Sequence, residues 1–240
     1  ELLAAVRETV ALADEAGVRL HLSHLKAIGQ RNRAQLDEVL EIIEWRGIGF
    51  DHYPYTSGST TLLSILPPDL FAADGVRGAL AALDDAATCD RLEALYDGRI
   101  AVSPGVPWDN LPHLVGWENI RIVAVTDEGD RDVIGMSLAA IGERDGTSPA
   151  RAAFRLLRDS DGNVRMIDEY MDEEALLRIL ACPLGGIASD SLFGGRPHPR
   201  LFGCFPHLFE RYVFGEKKVL SVQEAVRKMT GLPAGRLGLA

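Results

Sequence analysis

The stretch RLHLSHLKAIGQRNRAQLDEVLEIIEWRGIGFDHYP (19–54) decides the fold class. Its first seven residues alternate in polarity as a half-buried strand does, which puts Leu20, Leu22, His24 and Lys26 on one face. A helical stretch from about Arg31 to Arg46 follows, closed by Gly47, and IGFDHYP (48–54) reads as a second strand. Strand, helix and strand at this spacing make a βαβ unit, so the expectation is an α/β fold with a parallel sheet and right-handed crossovers.

Upstream, Leu2, Leu3, Val6, Val10 and Ala13 recur at helical spacing and Gly17 is placed to end the helix. A natural chain rarely starts inside a helix, so further residues are expected before this one. Downstream, DEEALLRIL (172–180) is helical, GGIASDS (185–191) is a short strand running into a Gly-rich loop, and SVQEAVRKM (221–229) gives a final helix. Between lies an excursion over 57–170 with helices near 75–96, 137–145 and 148–158 and an isolated strand-like NIRIVAV (119–125). It is too long for a plain loop. Three segments result: 1–56 with two strands and their helices, 57–170 as a mostly helical insertion or lid, and 171–240 with the last strand, a substrate loop and the C-terminal helices.

Composition bounds the function. With 47% hydrophobic and 25% charged residues the chain is globular rather than disordered. No apolar run approaches the roughly 18 residues of a membrane span, and the opening segment lacks the pattern of a signal peptide. The net charge of -10 comes without a basic stripe, which argues against nucleic acid as a partner. Cys89, Cys182 and Cys204 are too far apart for a CxxC zinc site and odd in number, so a reducing cytoplasm is expected.

Four motifs bear chemistry. In HLSHLK (21–26), His24 and Lys26 would emerge together at the C-terminal rim of a barrel, the imidazole to ligate a metal and the ammonium to hold a carboxylate; the competing reading is a structural histidine. His21, on the opposite face, would point to the helix layer. In IASDS (187–191), Asp190 shares a face with Gly186 and Ala188, placing a general base at a strand end, or else a carboxylate that merely caps a turn. In DHYPYTSGST (51–60), Asp51, Tyr53 and Tyr55 share one parity, so either phenol could steady an oxyanion, and Ser59 could bind a carboxylate; packing tyrosines are the alternative. In GGRPHPRLFGCFP (194–206), prolines stiffen a loop presenting Arg196, His198 and Arg200, of which Arg200 suits a bidentate carboxylate clamp, against a reading as solvated surface arginines.

Taken in order, HLSHLK, DHYPYTSGST, IASDS with GGRPHPRLFG, and EAVRKMTGLPAGRLGL (224–239) resemble the N-acyl-D-amino-acid deacylase (D-aminoacylase) branch of the amidohydrolase superfamily. WENIRIVAV (117–125), GMSLAAIGERDGTSP (135–149) and FPHLFERYV (205–213) resemble it too, so the likeness covers nearly the whole chain. It implies a partial (β/α)8 TIM-type barrel, strands 6 to 8 with their helices, and a zinc-dependent hydrolase acting on N-acyl-D-amino acids. By position His24 matches the family's metal-binding histidine, Asp190 its catalytic and metal-bound aspartate, and Tyr53 its phenol, with Tyr55 in competition. Lys26, Tyr55, Ser59 and Arg200 match substrate-binding positions. The remaining metal ligands of the family are expected upstream of residue 1, so this piece alone should bind zinc poorly and catalyse little. Two alternatives stand beside this: an amidohydrolase acting on cyclic amides or N-acyl amines, and a non-catalytic subunit. The latter would be a homo-oligomer or would take its missing strands from a partner chain.

Overall fold

The described strands are β1 (His21–Leu22), β2 (Gly49–His52), β3 (Ser57–Thr61), β4 (Ile120–Ala124), β5 (Arg165–Glu169) and β6 (Gly185–Ile187). They come from a computed structural model that describes residues 2–101 and 108–239. The chain divides into two compact units, the first made of Glu1–Thr56, Met171–Ser191 and Pro199–Ala240, the second of Ser57–Tyr170 and Leu192–His198.

In the first unit β1, β2 and β6 lie side by side as a parallel sheet, with His21 opposite Gly49 and Phe50 opposite Gly185. The helix Leu36–Arg46 makes the crossover from β1 to β2, and its buried Leu36, Val39 and Ile43 form one stripe. That stripe packs with Val6, Leu25, Phe50 and Ile179 into one core. Each such side chain contributes roughly 1.5–3 kcal/mol when fully buried. Gly47, at φ 64, ends the helix in the left-handed conformation that a glycine adopts without steric cost.

The helix expected over 31–46 is two, Gly29–Arg33 and Leu36–Arg46. The interruption serves a purpose: Asn32 Oδ1 accepts from the Leu2 amide and Gln35 Oε1 from the Leu3 amide, both at 3.1 Å. Two amides at the start of the helix Leu2–Ala16, which have no partner within the helix, are satisfied this way.

The second unit has the expected helices but corrects the expectation of one isolated strand. Here β3, β5 and β4 form an antiparallel sheet in that order, Ser57 opposite Glu169 and Ile120 opposite Asp168. The helices Gly75–Ala82, Ala86–Tyr96, Leu138–Asp145 and Pro149–Asp159 accompany it, around a core that includes Leu62, Leu92, Ile122, Phe154 and Met166. SGSTT of β3 has no apolar residue and RMIDE of β5 carries three charges, so both are strands because of their ladder partners. The segment Leu192–His198 belongs with this unit rather than with the rest of 171–240. Among the described residues, no helix is long and apolar enough to cross a membrane.

Candidate active site

Among the described residues three that are not glycine adopt positive φ, and two of them are His24 (φ 41) and Asp190 (φ 46). Left-handed backbone costs a residue with a Cβ roughly 1–2 kcal/mol and persists where surroundings enforce it, commonly at functional positions. For His24 the enforcing group is Asp51, whose Oδ1 accepts from the His24 amide at 2.8 Å while the Asp51 carbonyl accepts from the Leu25 amide at 3.0 Å. The alternation expected through residue 25 therefore stops at Leu22, and His24 is reached by a turn. His21 is also corrected: it is exposed and its Nε2 lies 3.0 Å from Asp51 Oδ2, so it meets a carboxylate on the neighbouring strand instead of the helix layer.

A second cluster is built on Tyr53, which is fully buried at the end of β2. The Arg200 guanidinium lies over its ring at 4.3 Å and the Lys26 ammonium at 5.5 Å. Arg200, 1% exposed, places Nη2 2.9 Å from Asp190 Oδ2, and its own carbonyl accepts from the Ser191 hydroxyl at 3.3 Å. Two cations flanking an aromatic face and a carboxylate make a site with net attraction for a second anion. Lys26, Tyr53, Asp190 and Arg200 are thus brought together.

Tyr55 is not part of that cluster. The strand ends at His52 and the Tyr55 amide turns back to the Tyr53 carbonyl at 2.9 Å, so the parity that linked the two phenols is lost. Its ring stacks on His207 at 4.5 Å, and burial, reinforced by Cys204, Tyr212 and Glu210, pushes its hydroxyl up to about 12. Ser59 lies half-buried on β3, in the second unit, opposite Ile167.

His52, to which the sequence assigned no role, is buried and stacked against Tyr53 at 5.0 Å and 18°. Burial pushes its imidazole down to about 3; the Leu25 backbone opposes this, and the charges of Lys26, His24 and Arg200 add to it. It is a neutral ring, and neither nitrogen finds a hydrogen bond of good geometry among the described residues.

A catalytic zinc takes three protein ligands and keeps one position open. Among the described residues no three His, Cys, Asp or Glu side chains converge to hold an ion. Cys89, Cys182 and Cys204 are buried, and burial raises all three thiols, Cys204 to about 12. His24 and Asp190, the donors expected from the sequence, are not joined by a third such side chain among the described residues.

No family model matches the chain. Two curated proteins of Alcaligenes xylosoxydans xylosoxydans are similar to it. A D-aminoacylase is 30% identical over 100% of this chain and 39% of its own length, and an N-acyl-D-glutamate deacylase is 32% identical over 92% and 41%. The chain spans about two fifths of the length of these relatives. Among solved structures, an N-acyl-D-glutamate deacylase from Bordetella bronchiseptica, complexed with zinc and a phosphonate mimic of the tetrahedral intermediate, matches with a TM-score of 0.70 and 28% identity. The match covers 99% of this chain and 40% of that one. A D-aminoacylase studied for its binuclear metal centre matches at 0.69 and 26%, over 99% and 40%. Along its whole length this chain is therefore homologous to D-aminoacylases and N-acyl-D-glutamate deacylases, members of the amidohydrolases, and it carries the corresponding part of their fold.

Proposed function

We propose that the full-length protein hydrolyses the amide bond of N-acyl-D-amino acids, releasing a carboxylate and a D-amino acid. The observation that carries this reading is the convergence of Arg200 and Lys26 on the ring of Tyr53, with Asp190 paired to Arg200. Asp190 takes a proton from the attacking water and returns it to the leaving nitrogen. The Tyr53 hydroxyl donates to the oxygen on which negative charge develops. Lys26 and Arg200 bind the substrate's α-carboxylate, with Ser59 assigned the same role on the family resemblance alone. Zinc, when a full ligand set holds it, lowers the pKa of a bound water and polarises a carbonyl. His24 and Asp190 are this chain's donors to it. We read the β1, β2 and β6 sheet as strands 6, 7 and 8 of a (β/α)8 barrel, since they are parallel neighbours with His24, Tyr53 and Asp190 all following their C-terminal ends. The reaction is placed in the cytoplasm.

The test is a panel of N-acyl-D-amino acids, N-acyl-L-amino acids and cyclic amides offered to the zinc-loaded full-length protein. Turnover confined to the D series is the expected result. A preference for cyclic amides or for the L series overturns the carboxylate clamp as drawn. A second reading is favoured by the sheet order: β1 and β6 each have a strand on one side only among the described residues. Such edges pair readily with further strands, of the same or another chain. Light scattering that finds a monodisperse, stable monomer of this 240-residue chain counts against a partner.

A further inference from the structure

Asp51 ties β2 to the chain at the point where it leaves β1. Its carbonyl accepts from the Leu25 amide at 3.0 Å and its Oδ1 accepts from the His24 amide at 2.8 Å, so one residue holds two successive amides. The bond to Leu25 is made by backbone alone, whereas the bond to His24 depends on a side chain. It also falls on a residue with left-handed backbone, φ 41, which relaxes once nothing enforces it. A carboxylate that swings away therefore lets the His24 backbone change conformation, and the imidazole moves with it.

That carboxylate has a support of its own. His21 Nε2 lies 3.0 Å from Asp51 Oδ2, the oxygen other than the one that meets the His24 amide. His21 stands opposite Gly49 in the ladder, and Asp51 follows two residues later on the same face of β2. The ring has room because residue 49 carries no side chain: a Cβ there would come within 2.8 Å of His21 Nδ1 and 2.6 Å of Arg236 Nε. Gly49 thus leaves space for the ring, the ring props the carboxylate, and the carboxylate holds the His24 amide. All of these residues belong to the first unit.

Imidazole and carboxylate are donors that zinc accepts, and metal sites depend on outer groups that orient the donors. We propose that Asp51, propped by His21, is the positioning residue for His24, and that the pair strengthens zinc binding through the backbone of the donor rather than through its ring. This rests on the reading of His24 as a zinc donor. Neither Asp51 nor His21 is assigned a contact with metal or substrate.

The experiment uses the full-length protein as wild type, Asp51→Ala, Asp51→Asn, His21→Ala and His24→Ala. Zinc Kd is measured by chelator competition, and amide exchange at residues 24 and 25 is measured on the zinc-free form. Asp51→Ala should weaken zinc binding about tenfold to a hundredfold. It should also speed exchange at the His24 amide, while the Leu25 amide, held by a backbone carbonyl, stays protected. Asp51→Asn keeps an oxygen for the His24 amide and should bring both readings back close to wild type. His21→Ala, at a side chain that is 42% exposed, should leave the fold intact and weaken zinc binding by a smaller factor. A wild-type Kd in either Asp51→Ala or His21→Ala overturns the proposal. An equal loss in Asp51→Asn and Asp51→Ala overturns it too, because the effect would then lie in the carboxylate's charge. Where Asp51→Ala does not fold, His21→Ala decides alone. A His24→Ala protein with wild-type zinc affinity overturns the donor reading itself, whatever the Asp51 variants show.

Discussion

Arg200 Nη2 lies 2.9 Å from Asp190 Oδ2, so the side chain proposed to bind a substrate carboxylate also pairs with a carboxylate of the protein. On the proposed function, a substrate α-carboxylate would compete with Asp190 for that guanidinium. Arg200→Lys keeps the charge and loses both the planar fork and the stacking on Tyr53. It should raise KM for N-acyl-D-amino acids by about tenfold to a hundredfold. Arg200→Met should in addition cost on the order of 2–3 kcal/mol of stability, less than a fully buried pair because the Asp190 side chain is 37% exposed. Steady-state kinetics and urea unfolding measure the two; an Arg200→Lys enzyme with wild-type KM removes Arg200 from carboxylate recognition.

Asp190→Asn keeps the shape and the hydrogen-bonding reach of the side chain but cannot accept a proton. The expected loss is about 10²- to 10⁴-fold in kcat, the usual range for one general acid–base group. The melting temperature should fall as well, by several degrees, since the neutral amide no longer balances the buried Arg200 guanidinium. Retained turnover in this variant contradicts the assignment of Asp190 as the proton carrier.

The parallel sheet was legible because its signals are local: alternation into His21–Leu22, a helical stripe at Leu36, Val39 and Ile43, and Gly47 at the turn. What surrounds His24 was not, since alternation says nothing of where a strand stops. It stops here because Asp51, some 27 residues on, accepts from the His24 amide. Tyr53 and Tyr55 could not be told apart by parity for the same reason, as the chain leaves the strand between them. β3 and β5 escaped notice because serine, threonine and charged residues carry no period; their pairing spans about a hundred residues and follows from the ladder.

His52 should make the protein acid-sensitive. Its folded-state pKa of about 3 lies below the ordinary 6.5, so between those values the unfolded chain binds a proton that the folded chain excludes. Stability is therefore full above about pH 6.5 and falls as pH drops toward 3. The contribution lost is on the order of a few kcal/mol. His52→Phe, which keeps a flat ring against Tyr53, should flatten this dependence. Melting temperatures at pH 7.5 and pH 4.5 are the measurement, and an equal drop in both proteins excludes His52 as the source.

Lys228 is fully buried on the helix Val222–Met229, and its ammonium donates to the Gly185 carbonyl at 2.9 Å and to the Cys182 carbonyl. Those two carbonyls bracket the turn into β6, which runs on to Asp190 five residues after Gly185. Burial pushes the ammonium's pKa down, opposed by Glu224 with its carboxylate 3.9 Å away, so the charge is held at a cost that these acceptors and Glu224 offset. Lys228→Met fills the same space and removes the donor, leaving the Gly185 carbonyl without it in a dry environment. The expected destabilisation is about 1–3 kcal/mol, read from urea unfolding. Amide exchange should accelerate first at Gly186 and Ile187, since the β6 ladder loses its anchor before the remainder of the unit opens. Uniform acceleration across the helix Leu36–Arg46 as well would mean that Lys228 stabilises the whole unit, with no particular hold on the strand that leads to Asp190.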